Sequence, residues 1–248
     1  MPDAVICGYA RTPFGRFRGA LSSYSAVELG IRAVEELLRR TGIDPSGGEI
    51  DQVYMGQVLQ AGAGQAPARQ VALGCGMPNS TSCTTINKVC GSSLKAVMIA
   101  ASEIRAGVSE LVVAGGMESM SNAPRFIREA RRGEDVPFKS LLSILSHDGL
   151  TDAFSGELMG NTGETCALEY GISREESDAY SLRSHKLSAK GWENGGIEKE
   201  CVSMEELSID EGIRQDADMS TLTSLKPVFS EGGQVTAGNA SQVSDGAS

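Results

Sequence analysis

At 248 residues, with 40% hydrophobic content and 30 glycines, the chain is long enough to bury a large core in one or two domains and has the composition of an α/β protein rich in tight turns. Its 22 basic against 32 acidic side chains give a net charge of -10, which argues against broad nucleic-acid binding. Six scattered cysteines with no CxxC pair and only two histidines argue against a metal site and fit a reducing compartment, and the absence of a long apolar run argues against a signal peptide or a membrane span, so a cytoplasmic chain is expected.

In chain order, residues 4–9, AVICGY, form a short apolar run expected to be a buried parallel strand, broken by Arg11, Thr12, Pro13 and Gly15. Ser25 opens the first helix: Glu28 completes a capping box, Tyr24 and Leu29 are placed for a hydrophobic staple, Val27, Ile31, Val34 and Leu38 make one stripe, and Gly42 ends it. Residues 51–59 suggest a second strand in which Gly56 marks a bulge or a close backbone approach. Pro67 suits the first position of a helix over 67–74, and residues 110–114 are a further buried strand running into Gly115 and Gly116. Strands alternating with helices predict a mostly parallel sheet covered on both faces. Residues 125–139 are densely charged and expected to be a solvated excursion. Two helices are expected within 162–190, the second capped by Ser173 with Glu176, and 193–220 is polar and irregular.

The chemistry concentrates at 84–106, TTINKVCGSSLKAVMIAASEIRA. Thr84, Thr85, Ile86 and Val89 are β-branched, whereas Leu94, Val97, Met98, Ala101 and Ile104 recur at helical spacing, so Cys90 sits where a strand turns into a helix. Gly91, Ser92 and Ser93 add no bulk, and first-turn amides without intrahelical partners favour negative charge on the sulfur. Such elbows present nucleophiles in other folds. The alternative is an inert core cysteine, since free cysteines are among the most buried residue types.

NKVCGSS at 87–93, AGGMESMSNAP at 114–124, ARTPFGRFRGAL at 10–21, DGLTDAF at 148–154 and VTAGNASQVSDGA at 235–247 resemble the thiolase family in that family's order, closest to its acetyl-CoA acetyltransferase branch. The resemblance implies a thiolase-type N-terminal α/β domain over 1–120, an inserted loop domain over 121–240 that binds coenzyme A and whose charged segment joins dimers into tetramers, and a return to the first domain over 241–248. It also implies that Cys90 carries the acyl group as a thioester while two acetyl-CoA molecules condense to acetoacetyl-CoA, or while a 3-ketoacyl-CoA is cleaved. A condensing enzyme of the ketosynthase type shares the elbow cysteine, but AGGMESMSNAP and the inserted segment favour a thiolase.

Arg214 matches the family arginine set against the nucleotide end of coenzyme A. Its acidic neighbours Asp210, Glu211, Asp216 and Asp218 leave a surface ion pair as the alternative. Ala237, Gly238 and Ser241 match the segment along the pantetheine arm, and Leu150, Met159 and Phe229 match apolar positions of the same tunnel, although isolated apolar residues commonly belong to cores. Leu158 stands where many biosynthetic members have histidine, which weakens the expectation of acetoacetyl-CoA preference.

The family's activating histidine and second cysteine come from GHP-type and CxGGG-type motifs, and neither string occurs here. His147 and His185 match no family catalytic motif, and the cysteines other than Cys90 are expected to be structural. The expectation is therefore the nucleophile-bearing half of a thiolase, inactive without a C-terminal half, using coenzyme A thioesters as substrates with no cofactor. Its expected partners are further copies of itself in a dimer or tetramer and a separate C-terminal subunit; the alternative is a non-catalytic remnant that binds coenzyme A or a protein.

Overall fold

The computed structural model describes residues 3–128, 133 and 135–248, so part of the charged run 125–139 lies outside the described residues. The chain divides into two compact units. One comprises residues 1–145, 200–211 and 243–248; the other comprises 146–199 and 212–242.

The first unit is built on a five-stranded sheet. Its strands are β1 (Gly15–Arg16), β2 (Gln52–Gly56), β3 (Ser82–Ile86), β4 (Val112–Ser119) and, after a small antiparallel pair of β5 (Arg125–Phe126) with β6 (Leu142–Ser143), β7 (Ser244–Ala247). The order is β1-β7-β4-β2-β3. Strands β4, β2 and β3 are parallel, with Gln52 opposite both Ser82 and Val112, while β7 runs antiparallel to β4 and to β1. Helices α1 (Ala26–Thr41), α2 (Pro67–Gly74) and α3 (Ser92–Ala106) complete it.

Helix α1 forms as its sequence dictates. Ser25 accepts the Glu28 amide, Glu28 accepts the Ser25 amide at 2.7 Å, and Gly42 closes the helix in the left-handed region at φ 71°. The pleat sorts side chains by parity. Val53 and Met55 join Leu29, Val34, Leu38, Ala68, Val71 and Met117 in the main core under α1 and α2, whereas Tyr54 turns to the opposite face with Ala96 and Ala100 of α3.

Helix α3 turns its smaller residues to the sheet. Leu94, Val97 and Met98 of the apolar stripe are exposed, and the residues facing the sheet are the small Ser92, Ala96 and Ala100. The reason is distance. A methyl group on Gly56 would lie 2.6 Å from the Ser92 carbonyl carbon and the Ser93 nitrogen, and one on Gly116 would overlap the Ser93 hydroxyl. With the backbones this close, no room remains for leucine or methionine between helix and sheet. Gly56 is thus the close approach its position suggested, not a bulge.

Residues 4–9 depart from expectation. They form no strand, and Val5, Ile6 and Tyr9 are 72%, 80% and 65% exposed. A strand requires a neighbour to take its amides and carbonyls. Strand β7 pairs Gly15 with Asp245, and the contact between the two segments continues only to Thr12, whose amide meets the Ala247 carbonyl at 2.9 Å. Arg11 follows, held instead by Glu200 and Asp210 and by its backbone pairing with Glu200 and Val202.

The second unit contains α4 (Met159–Tyr170), α5 (Arg174–Glu193) and α6 (Met219–Ser224). Ser173 and Glu176 form the expected capping box of α5, and Asp218 caps α6 by accepting the Thr221 amide at 2.7 Å. Among the described residues no helix is long and apolar enough to cross a membrane.

Replacing Gly56 by alanine should lower stability by about 2 kcal/mol, because overpacking against backbone atoms has no soft neighbour to yield. Urea unfolding measures this; a change below about 0.5 kcal/mol, the range of an ordinary surface substitution, would refute the close-packing account.

Candidate functional site

Strand β3 ends at Ile86, and after the five residues 87–91 the chain is helical from Ser92. Asn87 accepts the Val89 amide through its side chain at 2.9 Å, a local turn that starts the reversal. Ser92 then ties the bend together, since its hydroxyl accepts the Lys88 amide at 2.9 Å and donates to the Val89 carbonyl at 2.6 Å. Val89 is forced to φ 49°, a left-handed conformation that a β-branched residue adopts only under constraint. Cys90 follows, exposed, immediately before the Gly91 N-cap of α3. The inert-core alternative for this sulfur is thereby removed.

The elbow is buttressed through the loop that follows β2. Glu118 of β4 accepts the amides of Val58 and Leu59 at 2.8 and 3.3 Å, and the Val58 carbonyl in turn accepts the Asn87 side chain at 3.4 Å. Burial pushes the Glu118 carboxyl above its usual range, with the two backbone amides opposing that shift. Glu118 lies within AGGMESM, so that motif supports the turn beside the cysteine. Just beyond the same end of β4, the fully buried Asp245 accepts the Ser121 amide at 2.9 Å and the Ser121 hydroxyl, anchoring SDGA of β7 to SMS.

The remaining cysteines are also unpaired. Burial pushes the Cys75 thiol to about 12 and the Cys201 thiol to about 11, and it raises Cys83 as well, so these three are poor nucleophiles near neutrality. Cys7 and Cys166 are exposed, contrary to a purely packing role. No cluster of three or more metal-ligating side chains occurs among the described residues.

All the residues matched to coenzyme A binding belong to the second unit. Leu150 and Met159 are brought together, with the Met159 amide donating to the Leu150 carbonyl at 2.8 Å and a bridge between Thr151 and Leu158 beside them. Phe229 packs on the bare backbone of Gly160, where any side chain would strike its ring, and therefore lies one residue from Met159 on α4. Gly238 is similarly confined: a methyl group there would lie 2.6 and 2.7 Å from Leu222 and Leu225. Ala237 and Ser241 are exposed on either side of it.

Arg214 is exposed, and its amide donates to Nδ1 of His185 on α5 at 3.3 Å. The feared competition from acidic neighbours is largely spent elsewhere. Asp210 takes Arg11, Glu211 takes Arg16 and the Arg16 and Ala20 amides, and Asp218 caps α6. Among the described residues no carboxylate forms an ion pair with Arg214. Burial, and after it the Arg214 charge, holds the His185 imidazole below its usual range, consistent with a neutral ring accepting that amide.

Residues that sequence reasoning passed over are those holding the loops. Glu164 of α4 accepts the Gln234 and Val235 amides at 2.7 and 2.9 Å, and Asp178 of α5 and Asn239 bond at 2.9 Å. The available signal was an aspartate at the buried phase of α5, on the same face as Ala189.

A family model for the thiolase N-terminal domain matches residues 4–248. An Arabidopsis thaliana protein named acetyl-CoA acetyltransferase 2 is 46% identical over 256 residues, covering 99% of this chain and 63% of that protein. A probable acetyl-CoA acetyltransferase of Escherichia coli strain K12 is also 46% identical, over 100% of this chain and 64% of its own length. The crystal structure of an Ascaris suum thiolase in complex with coenzyme A matches with a TM-score of 0.90 and 37% identity, over 99% of this chain and 64% of that one. The chain therefore spans a little under two thirds of the length of these relatives.

The constrained Val89 yields a direct test. Asparagine tolerates the left-handed region far better, so Val89→Asn should raise stability by about 1 kcal/mol. Thermal unfolding measures it, and an unchanged or lower midpoint would show that φ 49° costs the chain nothing.

Proposed function

The chain belongs to the thiolase family, and on that premise we propose that it is the acyl-accepting part of an acetyl-CoA C-acetyltransferase. In this reading the Cys90 sulfur adds to the carbonyl carbon of a coenzyme A thioester, the tetrahedral oxyanion collapses, and coenzyme A leaves as its thiol while the acyl group remains on Cys90. The α-carbanion of a second acetyl-CoA then attacks the Cys90 thioester, giving acetoacetyl-CoA and returning the cysteine. The reverse sequence cleaves a 3-ketoacyl-CoA. The observation carrying the proposal is an exposed cysteine held on a constrained strand-to-helix turn whose backing glycines admit no side chain.

Coenzyme A recognition falls to the second unit. Arg214 would meet the nucleotide end, Ala237, Gly238 and Ser241 the pantetheine amides, and Leu150, Met159 and Phe229 the apolar wall of the arm. The committed state of Asp210, Glu211 and Asp218 supports this assignment for Arg214 over a local ion pair. Six unpaired cysteines are consistent with the cytoplasm.

Two protons need bases. One must leave Cys90 and one must leave the methyl group of the second acetyl-CoA. No GHP or CxGGG string supplies them within these 248 residues. We assign them to a C-terminal thiolase half, and the exposed apolar stripe of Leu94, Val97 and Met98 supports a protein partner against α3. Self-association through the charged segment 125–139 completes the proposed assembly. The second reading, a non-catalytic chain that binds coenzyme A or a protein, is favoured only by that same uncovered stripe.

Incubating the chain and a supplied C-terminal thiolase half with acetyl-CoA, then mapping peptides by mass spectrometry, should place an acetyl group on Cys90 and none in Cys90→Ser. The chain alone should not turn over acetoacetyl-CoA. Sustained turnover by the pure chain would overturn the need for a partner, and no adduct even with a C-terminal half supplied would establish the non-catalytic reading.

A further inference from the structure

One buried carboxylate organises the whole segment matched to the pantetheine arm. Asp178 on α5 is 1% exposed and meets two groups. Its Oδ2 accepts Nε of Arg174 at 2.7 Å, and its Oδ1 accepts the Asn239 side chain at 2.9 Å. Each partner carries the constraint onward to residues 236–239.

The first arm runs through Asn239, both of whose side-chain N–H groups and whose side-chain oxygen are hydrogen-bonded. Its second N–H donates to the Gln234 carbonyl at 2.9 Å, and its carbonyl oxygen accepts the Thr236 amide at 2.8 Å. Two acceptors on one side and one donor on the other fix the amide orientation without ambiguity. Thr236, fully buried, then accepts the Gly238 amide on its hydroxyl at 3.1 Å.

The second arm runs through Arg174. Its Nη2 donates to the carbonyls of Leu222 at 2.7 Å and Leu225 at 3.0 Å, and those two residues supply the side chains that close over Gly238. Both arms therefore end at Gly238, one by hydrogen bonds and one by packing. Glu164 fixes the entrance to the same segment by accepting the Gln234 and Val235 amides.

We propose that Asp178, acting through Asn239 and Arg174, is the positioning residue that shapes the 236–241 turn to receive the pantetheine arm. This rests on the coenzyme A reading above and adds to it which side chains make that subsite rigid before ligand arrives. A turn held in this way binds without first losing chain entropy, whereas a loosened turn must be ordered on each binding event.

The test uses Asn239→Ala, with Asp178→Asn as a milder second variant that keeps an acceptor for Asn239 but loses the ion pair. Two quantities are read in the 248-residue chain: the Kd for coenzyme A by calorimetry, and amide hydrogen exchange without ligand. Asn239→Ala should weaken coenzyme A about tenfold, in line with the loss of buried hydrogen bonds. Exchange should quicken at 236–241 while α4 and α5 keep their protection. Asp178→Asn should show the same pattern, smaller in both readouts.

Coenzyme A affinity within about twofold of wild type despite quickened exchange at 236–241 would overturn the proposal, using the tenfold shift as the scale. So would exchange that rises evenly over the whole second unit, which marks a merely structural role. If the wild-type chain itself fails to bind coenzyme A, the coenzyme A reading falls, and the inference falls with it; the exchange data would then still report whether Asp178 holds the turn.

Discussion

The contact between the start of α3 and the backbones of β2 and β4 governs the first unit. Gly56 and Gly116 allow the Ser92 and Ser93 main chain to lie against the sheet, and a single methyl group at either glycine would collide with it. Several features follow from that approach. The strand-to-helix reversal has to be completed in the five residues 87–91, so the bend is tight, Val89 is driven to positive φ, and Ser92 has to satisfy two backbone groups at once. The cysteine is thereby placed on a constrained bend.

The same approach explains why the apolar stripe of α3 is exposed. Leu94, Val97 and Met98 have the spacing of a core-facing stripe, and pattern alone would bury them. The helix instead buries Ser92, Ala96 and Ala100, because the glycines opposite set a gap too narrow for larger residues. The signal was present in the sequence as two glycines on separate strands, but it becomes informative only when the register of β2 with β4 places them side by side, Gly56 opposite Gly116. Periodicity identifies a two-faced helix, and the sheet decides which face goes in.

Legibility elsewhere divides along the range of the interaction. Capping boxes at Ser25 and Ser173, the proline-led α2 and the alternating strand and helix order are local, and each was readable from a few adjacent residues. Residues 4–9 have the composition of a strand yet form none, because strand formation depends on a neighbour that composition does not describe. The hydrogen bonds of Glu118, Glu164 and Asp178 span tens of residues, and a carboxylate in sequence does not announce which amide it will hold. The strand-to-helix bend at Cys90 was legible because its surroundings are local; the match of 236–241 to a pantetheine segment came only from resemblance to known thiolases.

The two units hold their functional segments by different means. In the first, steric exclusion sets the approach, bare glycine backbone against bare helix backbone, and the hydrogen bonds of Ser92, Asn87 and Glu118 hold the bend. In the second, rigidity comes from carboxylates, with Glu164 and Asp178 fixing amides and a guanidinium around 222–239. Steric exclusion is indifferent to pH and salt, and it would suit the proposed acyl transfer, in which one atom forms and breaks a covalent bond without moving. Buried polar networks are more demanding, since each unsatisfied member is costly, but they fix orientation as packing cannot. A ligand arm bearing amides needs donors and acceptors at set angles, and a turn whose own polar groups are already committed inward leaves its outward backbone free to meet them.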